Sequence, residues 1–277
     1  MDENSLKKIL EDHKKWIDGC DGSQANLSKA DLCGANLMGA NLRKANLRGA
    51  GLSKADLNEV NLSEANLFQT DLHEAYLLGA NLYKADLRNA NLRGANLSKA
   101  NLRGVDLSGA NLYGTDLRSA DLCEADLYEA DLREADLYGA NLCKVDLRGA
   151  DLRKANLRSV DLYSADLVRA DLRGADLCGT NLRGSDLFSA NLDQKIIQVG
   201  PIGSRNDYTI YRVSEDIVQC GCWKGTVGGS LADFIARINE VYPESNENSM
   251  RYRREYLVAI AMFQALREDY LRESKDE

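Results

Sequence analysis

Leucine recurs at every fifth residue from Leu27 to Leu192. A period of five suits neither common secondary structure. On an α-helix, leucines five apart walk around the whole circumference, and on a strand they alternate between the two faces. A chain that turns a corner once every five residues can instead aim them all at one axis, as solenoid repeats do when they stack into a continuous core.

In that register the repeat runs from Ala25 to Gln194 without insertion or deletion, giving 170 residues and 34 pentapeptides. The first position is Ala except at Val60, Thr70, Val105, Thr115, Val145, Val160, Thr180 and Ser185, so it is small or β-branched throughout. The second is Asp or Asn except at Gly51 and Tyr76. Positions four and five vary among Arg, Tyr, Ser, Cys, Lys, Glu and Gly, as solvent-facing positions do. Asp and Asn at the corners are expected to bond nearby backbone groups, because Asx side chains do so in turns. That makes them structural rather than catalytic.

This A(D/N)LXX pattern resembles the pentapeptide-repeat family over about three fifths of the chain. The resemblance implies a mainly β fold, a right-handed quadrilateral β-helix with four pentapeptides per coil. Its first and third positions face inward and the other three outward. Thirty-four repeats make about 8.5 coils, a rod roughly 40 Å long at the inter-strand spacing. Four leucines and four small residues per layer fill a narrow interior and leave no lumen.

The ends need covering, since an open β-helix exposes unpaired backbone. Residues 1–24 are read as a capping helix, with Leu6, Ile9, Leu10, His13, Trp16 and Ile17 at helical spacing, Asn4 or Ser5 as N-cap and Gly19 as stop. His13 is expected as a packed imidazole rather than a ligand. The only other histidine, His73, lies 60 residues away, and no zinc site is expected.

Residues 195–277 are read as a small α+β module. KIIQVGPIGS, DYTIYRV and DIVQCGC read as strands, the last two as a hairpin through Ser214 to Asp216. Ser230 and Asp233 then form a capping box, and Leu231, Phe234, Ile235, Ile238 and Tyr242 share one helical face before Pro243. A longer helix follows from about Ser249 to Arg272. The strings IGSRNDYTIY and QCGCWKG resemble a module that recurs in bacterial and phage-associated proteins. Cys220 and Cys222 lack the Cys or His partners that a zinc site needs.

The start, MDENSLKKILEDH, lacks an apolar leader, so a cytoplasmic location is expected. No apolar run approaches the ~18 residues of a membrane span. Seven cysteines without a leader argue for free thiols. Cys123 and Cys143 stand one coil apart and are expected as two exposed thiols in one column.

Charge limits the partners. The repeats hold 24 acidic and 20 basic side chains, and the whole chain is at −8. No region is basic enough for a nucleic-acid footprint. No acid/base or nucleophile constellation appears, so no enzyme, cofactor or metal is expected. Some pentapeptide-repeat proteins protect DNA gyrase from quinolones or peptide toxins and are thought to mimic DNA, so the resemblance implies gyrase as an alternative partner. The feature fitting that role is an acidic ladder of Asp86, Asp106, Asp126, Asp146, Asp166 and Asp186, one per coil. Against it, Arg48, Arg88, Arg148, Arg169 and Lys29 share that face, and the chain lacks the loops that interrupt the coils of gyrase-protecting relatives. The preferred reading is a non-catalytic scaffold for an unidentified protein, contacted where the pattern breaks: Tyr76 replaces the corner Asx, and Leu78 and Met38 add outward apolar side chains in one column. Relatives that pair through a terminal element imply a homodimer, for which Tyr252, Tyr256 and Tyr270 are the candidate interface.

Overall fold

The computed structural model describes residues 1–192, 196–202, 207–212, 216–220, 229–242 and 247–273. Parallel bridges join position-two residues 20 apart, from Asn26↔Asn46 through Asp171↔Asn191, so each coil has four sides. Every central leucine from Leu27 to Leu187 is buried, and the alanines and valines of position one fill the space between them. Burying polar backbone beside this core requires a partner for every group, and the five amides of one repeat show how that is met. Leu87 N donates to Asp106 O in the next coil (2.7 Å), Asn89 N to Ser108 O (3.0 Å), Ala90 N to Leu87 O across the turn (3.0 Å), and Asn91 N to Thr70 O in the preceding coil (2.9 Å). The fifth amide, of Arg88, donates to the corner carboxylate of Asp86 (3.2 Å). Position two is Asx because the amide two residues on has no backbone acceptor.

Position five is more constrained than its varied composition implies. Every residue there from Lys29 to Ser189 has a positive φ, and only thirteen of them are glycine. Positive φ at the third residue of a four-residue turn, and not at the second, is the type II arrangement. The lysines, glutamates and serines at this position accept a left-handed backbone that costs about 1 kcal/mol apiece, offset from Lys29 to Arg169 by the ladder bond that each makes through its own N–H.

Helix α1 (Glu3–Ile17) covers the first coil. Its N-cap is Asp2, not Asn4 or Ser5: the Asp2 carboxylate accepts from Ser5 N (2.9 Å), which places Ser5 inside the first turn. Leu6 is buried against the repeats, with Ile9 and Leu10 packed beside it. His13 is fully buried, and its Nδ1 accepts the amide of Ala25 (3.0 Å). In later repeats that amide finds a carbonyl three residues back, a partner that the first repeat lacks.

The C-terminal residues form an antiparallel sheet in the order β1 (Ile196–Ile202), β2 (Asp207–Arg212), β3 (Ile217–Cys220), followed by α2 (Leu231–Val241) and α3 (Glu247–Glu273). Ser230 and Asp233 close the expected capping box. Residues 213–215, Pro243 and Cys222, and the side chain of Cys220, lie outside the described residues. Successive strand residues face opposite ways, and here each face has its own neighbour. Ile210 joins the core of the repeats, whereas Tyr211 and Val218 pack with Phe234, Ile238, Tyr256 and Phe263. Gln219 pairs with Ile210 in register and shares its side. Its buried carboxamide accepts from Leu182 N (2.7 Å) and donates to Thr180 O (2.9 Å). Those two groups would otherwise bond the backbone of a further coil, so one side chain replaces the missing peptide.

Candidate interaction surface

The rod interior is filled, so a site on the repeats themselves lies on the four faces, where positions two and four build parallel columns. The acidic ladder exists as a bridged column: Asp86, Asp106, Asp126, Asp146, Asp166 and Asp186 stack in successive register. Two arginines tie four of these carboxylates together. Arg88 forks onto Asp86 (2.9 and 2.8 Å) and reaches Asp106 (3.4 Å). Arg148 holds Asp146 (2.5 Å) and reaches Asp166 (3.6 Å). These guanidinium bonds hold the Asp86 and Asp146 carboxyls below the usual carboxylate range. Arg48 stacks on the Phe68 ring (4.9 Å), which Arg88 faces from the other side (5.6 Å).

Met38, Tyr76 and Leu78 are exposed to 58%, 52% and 42%. Tyr76 cannot supply the corner acceptor, and the Leu78 amide donates instead to Asn58 Oδ1 in the preceding coil (2.9 Å). The break in the pattern is thus compensated within the fold while its side chains stay in solvent. Tyr138, half exposed, stands in the same position-four column as Leu78.

Two expectations are corrected. Tyr256 is not an exposed interface residue. It is 2% exposed, edge-on to Phe234 (5.8 Å) and stacked with Tyr242 (5.6 Å), because α3 turns that side toward the sheet and α2. The side chains of Tyr252 and Tyr270 lie outside the described residues, and the apolar side chains that α3 exposes include Leu257 and Val258. Cys123 and Cys143 are not free thiols but a disulfide, since position four of successive coils sets their Cα atoms 4.7 Å apart, within disulfide reach. Cys20, Cys33 and Cys178 are free and exposed.

Among the described residues no group of three or more His, Cys, Asp or Glu could hold a metal ion, and no helix is long and apolar enough to cross a membrane. Two features escaped sequence reasoning. One is the Gln219 cap, whose only signal is a lone amide inside an apolar strand. The other is the dependence of arginine pairing on whether its corner residue is Asp or Asn, which can be read directly from the repeats.

The family model described as Pentapeptide repeats matches in eight copies between residues 25 and 194. No curated protein matches. Similar solved structures include HetL, a pentapeptide repeat protein involved in heterocyst differentiation regulation from the cyanobacterium Nostoc sp. strain PCC 7120; it is 34% identical over 64% of this chain and 92% of that one, at a TM-score of 0.30. A pentapeptide repeat protein from the Arabidopsis thaliana thylakoid lumen is 34% identical over 38% of this chain and 70% of that one, at 0.29. Full-length QnrB1, a plasmid-mediated fluoroquinolone resistance protein, is 20% identical over 61% and 92%, at 0.33.

Proposed function

The chain belongs to the pentapeptide-repeat family, and on that premise we propose that it is a non-catalytic scaffold whose rod of about 8.5 coils presents a fixed surface to another protein. One observation carries this reading: Met38, Tyr76 and Leu78 remain exposed on a backbone whose amides are otherwise held by the lattice. Apolar side chains on a preorganised surface lose little conformational freedom when covered, which favours association. A photo-crosslinking residue placed at Tyr76, compared with one at Tyr163 in a different column, tests it. Adducts with one protein at Tyr76 and none at Tyr163 support the scaffold; equal labelling, or none at either site, overturns it.

The DNA-mimic reading draws on the bridged aspartate column. It is the weaker one because Arg88 and Arg148 between them engage four of the six carboxylates. A field muted by such pairs fades within about 10 Å at ordinary salt. Inhibition of gyrase supercoiling by micromolar protein would reverse this preference.

A further inference from the structure

Arginines at position four pair by a simple rule. The guanidinium reaches back two residues to its own corner carboxylate and forward to the corner of the next coil. Arg133 takes Asp131 (2.7 Å) and Asp151 (3.6 Å), and Arg118 takes Asp116 (2.6 Å) and Asp136 (3.7 Å). Where the arginine's own corner is Asn, the backward contact is lost: Arg103 keeps Asp121 (3.6 Å) and Arg158 keeps Asp176 (3.2 Å) ahead, and Arg43, with Asn ahead as well, turns to Glu64 at position five of the next coil (2.7 Å). Arg93 has Asn91 behind it and Asn111 ahead. Among the described residues no carboxylate lies within 4.0 Å of its guanidinium, and its side-chain N–H groups have no acceptor.

The surroundings hold this unpaired cation in place. Its guanidinium lies 5.2 Å from the centre of the Tyr113 ring, whose other side Arg133 faces at 5.6 Å, and the Tyr113 hydroxyl donates to Glu134 (2.6 Å). Position five is glycine in this coil and the next, Gly94 and Gly114, so the ridge that lysine or glutamate raises elsewhere is absent. What remains is a groove of about 370 Å³ lined by His73, Glu74, Arg93, Gly94, Tyr113 and Gly114. Glu74 at its edge is already engaged by Lys54 (3.4 Å) and His73 (3.3 Å).

We propose that this groove receives a glutamate or aspartate side chain from an extended segment of the partner protein, the carboxylate forked onto Arg93 and the segment's backbone running over Gly94 and Gly114. A planar guanidinium with its donors free matches a carboxylate in two parallel bonds. A polyphosphate fits less well. The groove offers one free guanidinium between Glu74 and Glu134, and the repeats around it are net acidic. This deepens the scaffold reading and rests on it.

The test follows the arginine Nε–Hε NMR signals of the full chain on addition of the peptide acetyl-Gly-Glu-Gly-amide, its Gln counterpart, or a thymidine hexanucleotide. The Arg93 signal should move saturably with the Glu peptide alone. Asn91→Asp should weaken that binding about tenfold by supplying the corner carboxylate that Arg133 already has; it also replaces the Asn91 Nδ2 donor to Asp71 (2.8 Å), so its melting is measured beside the parent. Arg93→Gln should abolish it and provides the comparison if Asn91→Asp folds poorly. An unmoved Arg93 signal, an equal response to the Gln peptide, a stronger response to the oligonucleotide, or undiminished binding in either variant overturns the proposal. The photo-crosslink at Tyr76 reads a different column, so a negative peptide result leaves the scaffold reading to be judged separately.

Discussion

The middle of the rod and its two ends satisfy the same backbone groups by different means. In the middle, each coil is the hydrogen-bond partner of the next, and the position-four amide is met by an Asx two residues earlier wherever the corner carries one. At the ends the neighbour is missing and single side chains from outside the repeats stand in. Gln219 replaces a peptide group at one end, and His13 replaces a carbonyl at the other. Redundancy therefore protects the middle against loss of any one polar contact but not against a charge in the core, whereas loss of His13 or Gln219 strands the backbone group that it alone serves.

The largest effect should come from breaking the middle at its core. Leu107 is fully buried midway along the rod. Leu107→Asp places an unpaired carboxylate between coils at a cost of several kcal/mol, and soluble folded protein should be lost. Leu78→Asp, at an exposed position four, should melt within a few degrees of the parent. Similar melting curves for the two variants would contradict the inward and outward assignment of positions three and four.

Gln219→Leu should come next. It keeps the side chain apolar enough for its surroundings but removes the acceptor of Leu182 N–H, worth about 1–3 kcal/mol when buried without a partner. The loss should be local: amide exchange at Leu182 should accelerate while that at Leu107, whose N–H bonds Asp126 O (2.7 Å), should not. A uniform acceleration along the rod would mean that the ends are not separate from the middle.

The two caps also differ in that only one can titrate. Burial lowers the pKa of His13 below 6.5, its ordinary value, and Nδ1 must be unprotonated to accept from Ala25. Because the folded-state pKa is the lower, the contribution is complete above the unfolded value of about 6.5 and is lost as the pH falls from there through the folded value. Urea midpoints measured from pH 7.5 down to 5.5 should fall further for the parent than for His13→Gln. Parallel curves would remove His13 from the N-terminal cap.

This contrast also explains what the sequence made legible. The rod could be read because one environment recurs at every repeat, so its leucine and Asx positions declare themselves, and Met38, Tyr76 and Leu78 stand out as departures. The left-handed backbone at position five was hidden because Lys, Glu and Ser occupy it as readily as Gly. In the C-terminal module no environment repeats. Helical spacing placed Tyr256 on a face, but whether that face meets water depends on how α3 packs on the sheet, which no local pattern records. Stacking put Cys123 over Cys143 correctly, and the absence of an apparent leader then argued wrongly for thiols over a disulfide.

The smallest effects lie on the surface of the middle and test whether the aspartate column is held by local counterions. Asp126 has no arginine within 4.0 Å among the described residues, whereas Asp146 is forked by Arg148. Both accept a corner amide, from Tyr128 (2.9 Å) and Arg148 (3.0 Å), which Asn would still accept. Asp126→Asn therefore removes only repulsion from the column and should hold or slightly raise the urea midpoint at low salt. Asp146→Asn also removes the partner of a partly exposed ion pair, worth about 0.2–1 kcal/mol, and should lower it. Raising the salt toward about 0.5 M should bring the two variants together, since screening weakens both the repulsion and the pair. Gyrase mimicry predicts something different: each charge in the column would matter for its field, and both variants would lose supercoiling inhibition equally whatever their stability. Opposite shifts in stability without any shared loss of binding would make the column part of the scaffold's own construction and leave partner recognition to the apolar stripe and the Arg93 groove.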